Sequence, residues 1–162
     1  MARSTSKYLV ALVAASLFGG CGFQLRGQAQ LPFAAAYVDA PEGSSLGESL
    51  RLALRGEKKL ASQREAVPVL IRLSRESRSK NILSLSGSGK VSEYRLEYRV
   101  ELSAFAANGA ELIAPLPIYQ TRDFSNNDAQ VLAKESEEAA LNRAMEQDSL
   151  RQILRRLSYL KP

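Results

Sequence analysis

Histidine is absent from this 162-residue chain, and cysteine occurs once, at Cys21. Without imidazole, histidine-based proton transfer is excluded. One cysteine without histidine supplies neither a thiol–imidazole nucleophile nor the nitrogen and sulfur ligands of ordinary zinc sites. There is no G-x-S-x-G, no P-loop and no G-x-G-x-x-G opening a helix. The apolar run Tyr8–Phe18 has eleven residues, too few for a bilayer span of ~20. Charge of one sign is in modest excess only. The formal net charge of +5 falls to +3 once Arg3 and Lys7 are set aside with the first twenty residues. A dedicated nucleic-acid binder concentrates more basic charge than that. Counting alone leaves open a hydrolase using carboxylates such as Asp123 and Asp128, but no pattern points to one.

What is present begins with an address. Arg3 and Lys7 precede the apolar run, no acid occurs before Asp39, and Gly19-Gly20-Cys21 closes the segment. A basic start, a short apolar stretch and small residues at the cut describe a secretory signal. The small residues directly before Cys21 resemble the lipobox of bacterial lipoproteins. That resemblance implies a lipid-modified Cys21 as the first mature residue. Each buried methylene would contribute ~0.8 kcal/mol, so several acyl chains tether a domain durably. Gly22 follows, where many Gram-negative lipoproteins kept at the inner membrane have Asp, so the implied destination is the outer membrane, facing the periplasm. The expected organisation is a signal over 1–20, a lipidated lead over 21–33 and one domain over 34–162.

Along the domain, a short strand is predicted at about 35–39, stopped by Pro41 and Gly43. Ser45-Leu46-Gly47-Glu48 reads as a capping box. Leu46, Leu50, Ala53 and Leu54 then share one helical face, and Gly56 is expected at the C′ position. Val69, Ile71 and Leu73 alternate with less apolar neighbours, and a polar stretch follows. From Glu93 to Phe105 alternation is unbroken: Tyr94, Leu96, Tyr98, Val100, Leu102 and Ala104 face one way, and Glu93, Arg95, Glu97, Arg99 and Glu101 the other. This predicts a sheet with one wet face carrying interleaved charges. Ser86-Gly87-Ser88-Gly89 and Asn108-Gly109 read as hairpin turns. The strand from Glu111 to Phe124 starts at an edge or a bulge, because Pro115 and Pro117 cannot donate to a ladder. A long helix is predicted from Asn127 to about Tyr159, with Leu132, Ala139, Leu150, Leu154 and Leu157 as its buried stripe. Leu141 and Met145 fall on the opposite side. They are either scattered surface apolars or candidate partner-facing residues. The order predicts an α+β two-layer sandwich: two helices on one face of a four-stranded, mostly antiparallel mixed sheet.

Cys21-Gly22-Phe23-Gln24-Leu25-Arg26-Gly27 resembles the mature start of the LPS-assembly lipoprotein LptE family. The strand entry Ser92-Glu93-Tyr94 and the helix opening Leu132-Ala133-Lys134-Glu135 are similar to that family too. The resemblance implies a two-layer sandwich that plugs the LptD outer-membrane β-barrel in a 1:1 complex. It also implies assistance in delivering lipopolysaccharide to the outer leaflet, with no cofactor and no catalysis. Lipopolysaccharide combines phosphates with acyl chains, so its receptor needs cations beside apolar groups. The segment from Arg78 to Lys90 offers Arg78, Lys80 and Lys90 with Ile82, Leu83 and Leu85. The family's proposed contacts are a basic residue in this hairpin and a lysine opening the last helix. The second maps onto Lys134. The first falls near Gly87, with Lys90 the nearest downstream cation. Arg122 is a further candidate. The rival expectation is a free-standing outer-membrane lipoprotein that binds a small ligand or peptidoglycan.

Overall fold

Residues that alternate in the sequence line up as strands, and the apolar helical faces cover one side of them. The computed structural model describes residues 30–65, 67–126 and 131–161. The predicted signal over 1–20, Cys21, Asn127 and Asp128 lie outside the described residues. The elements are β1 (Ala36–Asp39), α1 (Ser45–Gly56), β2 (Val69–Leu85), β3 (Val91–Ala106), β4 (Glu111–Ser125) and α2 (Val131–Leu157). They form one sheet in the order β1-β2-β3-β4. β1 runs parallel to β2, across the α1 crossover, and the other two pairs are antiparallel. Leu46, Leu50 and Leu54 of α1 and Met145, Ile153 and Leu157 of α2 meet Val69, Ile71, Leu73, Leu96, Val100 and Leu102 of the sheet in one core. The expected two-layer α+β sandwich is the observed one.

Leu31 and Phe33, at the end of the lead, are buried in that core, and the compact unit runs from Leu31. β4 is an edge strand, and its pairing with β3 is irregular where Pro115 sits, between Ile113 and Leu116. Both turns form as expected, with Gly89 and Gly109 in the left-handed region at φ 77° and 83°.

Four local readings are corrected. The cap of α1 is Ser44, not Ser45: its Oγ accepts from the Gly47 amide at 2.8 Å. Gly47 must be glycine, because a Cβ there would stand 2.7 Å from the Ala40 Cβ. Gly56 is the last helical residue, and Lys58 takes the left-handed position at φ 58°. The amides of Lys58 and Lys59 donate to the carbonyls of Arg55 and Leu54, a Schellman closure.

The third correction concerns β2, which continues through the residues read as a polar stretch. Ser74 pairs with Glu101 and Ser77 with Arg99, so Arg75 and Glu76 together oppose Val100. This bulge puts Arg75 at φ 53° and exchanges the strand's two faces. Before it, Val69, Ile71 and Leu73 face the helices. After it, Arg78, Lys80 and Ile82 stand opposite Tyr98, Leu96 and Tyr94 on the same side. Regular alternation would have turned those charges to the wet face.

The fourth is the orientation of α2. Its fully buried positions are Met145, Ser149, Ile153 and Leu157, and Leu132 is 82% exposed. The buried seam is turned by roughly a quarter revolution from the predicted stripe, at about 100° per residue. Met145 therefore points into the core and cannot face a partner, while Leu141 is partly buried against that core. Ser149 hides the seam in the sequence. Buried, it stays satisfied because its Oγ donates to the Met145 carbonyl at 2.9 Å.

Candidate functional site

The cations singled out in the sequence lie at the end of the sheet beyond the bulge, and the structure gives most of them internal partners. Arg78 donates to Glu146 Oε2 and to Ser45 Oγ, both at 2.8 Å, and its guanidinium covers the Tyr98 ring at 5.1 Å. Glu146 also accepts from Ser45 at 2.7 Å and Ser49 at 3.3 Å, which ties α1 to α2. Beside this knot, Tyr98 is fully buried and donates from its hydroxyl to Glu76 at 2.6 Å. The Ser44 hydroxyl donates to Glu76 as well. Burial, then the hydrogen bond to Glu76, push the Tyr98 phenol far above its ordinary range, while Arg78 opposes the shift. The arrangement is a satisfied polar joint. It holds two helices to the sheet, with both Arg78 hydrogen bonds made from one Nη.

Lys80 is enclosed differently. Its ammonium lies 4.3 Å from the Tyr94 centroid and 5.3 Å from that of Phe124, and it donates to Glu138 at 2.6 Å. Tyr94 and Phe124 stack with centroids 5.7 Å apart. Arg122 pairs with Asp148 of α2 and donates to the Thr121 carbonyl at 2.7 Å. Lys134 lies near the start of α2, whose first turn contains no acidic residue. A cation there is disfavoured by the helix dipole. It is held by Glu137 at 2.8 Å and Ser125 Oγ at 3.1 Å. Arg78, Lys80 and Arg122 thus each pair with an acid of α2, and Lys134 with its own helix.

Past these pairs the sheet runs on uncovered. Ile82 and Leu85 are 59% exposed and Leu83 39%, and the 86–90 turn that follows carries the exposed Lys90. The Lys90 amide closes the turn on Ser86 Oγ at 3.2 Å. The structure therefore brings Lys80, Lys90 and Lys134 to the apolar end of the molecule. Arg122 is committed further along α2. On the wet face, Arg95 grips Asp123 through both carboxylate oxygens at 2.8 Å. That grip lowers the Asp123 carboxyl below its ordinary value, so it is held ionised as a strut and is not poised for acid–base work.

One feature lay in the sequence unremarked. Arg151, Arg155 and Tyr159 recur every four residues and, with Arg156, line a groove of about 460 Å³ beside Gln120 of β4. The i, i+4 spacing was the available signal.

The chain matches the family profile described as LptE, lipopolysaccharide-assembly, over residues 31–157. Among curated relatives, an LPS-assembly lipoprotein LptE of Photorhabdus laumondii is 29% identical over 143 residues, covering 85% of this chain and 77% of the relative. The protein of that name from Pectobacterium atrosepticum is 29% identical over 156 residues, covering 92% and 83%. The solution structure of a lipoprotein B from Nitrosomonas europaea superposes with a TM-score of 0.74 at 40% identity, covering 85% of this chain and 90% of that one.

Proposed function

Because this chain belongs to the LptE lipopolysaccharide-assembly family, we propose that it is an outer-membrane lipoprotein anchored through Cys21. It serves as the non-catalytic plug and assembly partner of the LptD β-barrel and binds lipopolysaccharide at its hairpin end. The observation that carries the binding reading is the pairing of exposed Ile82, Leu83 and Leu85 with Lys90 and, at the same end, Lys134. Acyl chains bury against the first group, and phosphates take charge-assisted hydrogen bonds from the second. Lys134 is positioned for exchange. Its side chain is 18% exposed, and its carboxylate partner Glu137, one turn away, is half-exposed, so the pair is weak enough for a phosphate to replace. Arg78 and Arg122 belong to the scaffold in this reading, and Lys80 supports the site from behind.

The test is lipopolysaccharide binding by the full-length protein carrying Lys90→Asp and Lys134→Asp, together with detergent co-purification of the barrel. Binding is expected to fall at least tenfold while the 1:1 complex with the barrel survives. Unchanged binding removes both residues from the site. A wild-type chain that purifies without a barrel leaves the free-standing lipoprotein as the better reading.

A further inference from the structure

The two edges of the sheet are finished differently. β1 is four residues long, and its outer side is covered: the Ala36 amide donates to the Lys59 carbonyl at 2.8 Å, and the Ala61 amide to Ala36 at 2.9 Å. β4 is fifteen residues long and, among the described residues, pairs only with β3. Proline blunts its first part at Pro115 and Pro117, but Ile118–Ser125 contains none. An open, proline-free edge offers unpaired amides and carbonyls to another strand.

Beside that edge lies the basic face of α2. Asp148, Arg151, Gln152, Arg155, Arg156 and Tyr159 follow the i, i+3, i+4 pattern of a single helix side. The opposite flank of α2 is occupied, since Glu146 is bonded to Ser45 and Ser49 of α1. Arg151 pairs with Asp148, whereas Arg155 and Arg156 are exposed and make no ion pair among the described residues. Residues four apart on a helix are about 6 Å apart along its axis. Alternate side chains of a strand are separated by about 6.6 Å. Arg151 and Arg155 at that spacing match two carboxylates on one face of an extended chain, with Arg156 beside them, and a lone phosphate would not engage all three. The chain's own leading segment cannot supply the charge, because no acid precedes Asp39.

We propose that Ile118–Ser125 of β4 and the arginine face of α2 together dock an extended acidic segment of a protein partner, by strand addition with its carboxylates on Arg151, Arg155 and Arg156. The edge supplies backbone hydrogen bonds, and the arginines set the sign and register of what is accepted. The arginine face is distinct from the lysines of the hairpin end, which touch this strand only near Phe124 and Ser125, and docking does not depend on their role.

The test uses the full-length protein in detergent and a labelled ten-residue peptide alternating glutamate with valine or threonine, followed by fluorescence anisotropy. Saturable binding that weakens with salt is expected, along with slowed amide exchange confined to Ile118–Ser125. Arg155→Glu with Arg156→Glu should weaken binding at least tenfold, and Arg155→Gln with Arg156→Gln does the same work if the reversal impairs folding. Lys90→Asp, in the 86–90 turn beyond that edge, should bind as wild type. A peptide N-methylated at alternate residues should bind at least tenfold more weakly. The proposal is overturned by absence of binding, by equal binding of the methylated peptide, or by exchange protection elsewhere. Displacement by inorganic phosphate at matched ionic strength overturns it too, since the groove is then a simple anion site.

Discussion

The base of the sheet and its far end are built from the same two long strands, yet different chemistry holds each to the helices. Below the bulge, Val69, Ile71, Leu73, Val100, Leu102 and Ala104 meet the helices through apolar side chains alone. Above it, Arg78, Lys80 and Arg122 reach Glu146, Glu138 and Asp148 of α2. Apolar burial of a whole side chain contributes roughly 1.5–3 kcal/mol and cannot be exchanged for another partner. A partly exposed ion pair contributes about 0–1 kcal/mol and can. The base is therefore a fixed footing, whereas beyond the bulge Leu96 and Tyr98 stay buried and only the partly exposed ion pairs are replaceable at small cost. The proposed ligand is placed at the end that carries those pairs.

The largest test of this contrast is Leu102→Ala. Truncating a fully buried leucine at the base should cost about 2–5 kcal/mol, read as a lowered urea midpoint at unchanged slope. A loss under about 1 kcal/mol would show that the footing lies elsewhere. Glu76→Ala comes next, at the boundary between the halves. It strips the Tyr98 hydroxyl and Ser44 of their acceptor and should cost about 1–3 kcal/mol. It should also bring the Tyr98 phenol down toward its ordinary value in an ultraviolet titration, though not all the way, since burial is the first cause of the shift. An unmoved phenol would mean that Glu76 does not reach it. The smallest effect concerns the wet face. Asp123 is held below the ordinary carboxylate value of 3.8 by Arg95. Its contribution is present above that value and is lost only as acid carries the pH through the lowered folded value. A carboxyl NMR titration should place its midpoint below 3.8, and a midpoint at or above it would dissolve the pair as a strut.

Much of this organisation was legible in the residues themselves. The faultless alternation of Glu93–Phe105 became β3 with the predicted residues inward, and Asn108-Gly109 made its turn. The α1 face was readable because Leu46, Leu50 and Leu54 are strongly apolar and evenly spaced. Where competing signals stand close together, local pattern does not separate them. Ser44 and Ser45 both offer a capping hydroxyl, and in the fold Ser44 accepts from the Gly47 amide while Ser45 turns to Glu146 and Arg78. In α2, Leu150 and Leu154 drew the predicted stripe toward themselves. Ser149 occupies the true seam because its hydroxyl bonds within its own helix. Among the candidate site residues, Lys90 and Lys134 keep a place at the hairpin end in the proposed function. The carboxylate partners of Arg78 and Arg122, Glu146 and Asp148, lie far along the chain and leave no local signal.

By itself the sequence determined β1, β3, β4 and the first part of β2, both turns, the existence of both helices and the two-layer class. Those follow from side-chain period and turn chemistry acting within a few residues. Tertiary structure alone decided which cations are spent inside the fold. Arg78 and Lys80 find their acids 68 and 58 residues further on, and one extra residue at Arg75–Glu76 turns both toward α2. Neither a long-range pair nor the face a bulge selects leaves a local pattern, so only the packed chain reveals them.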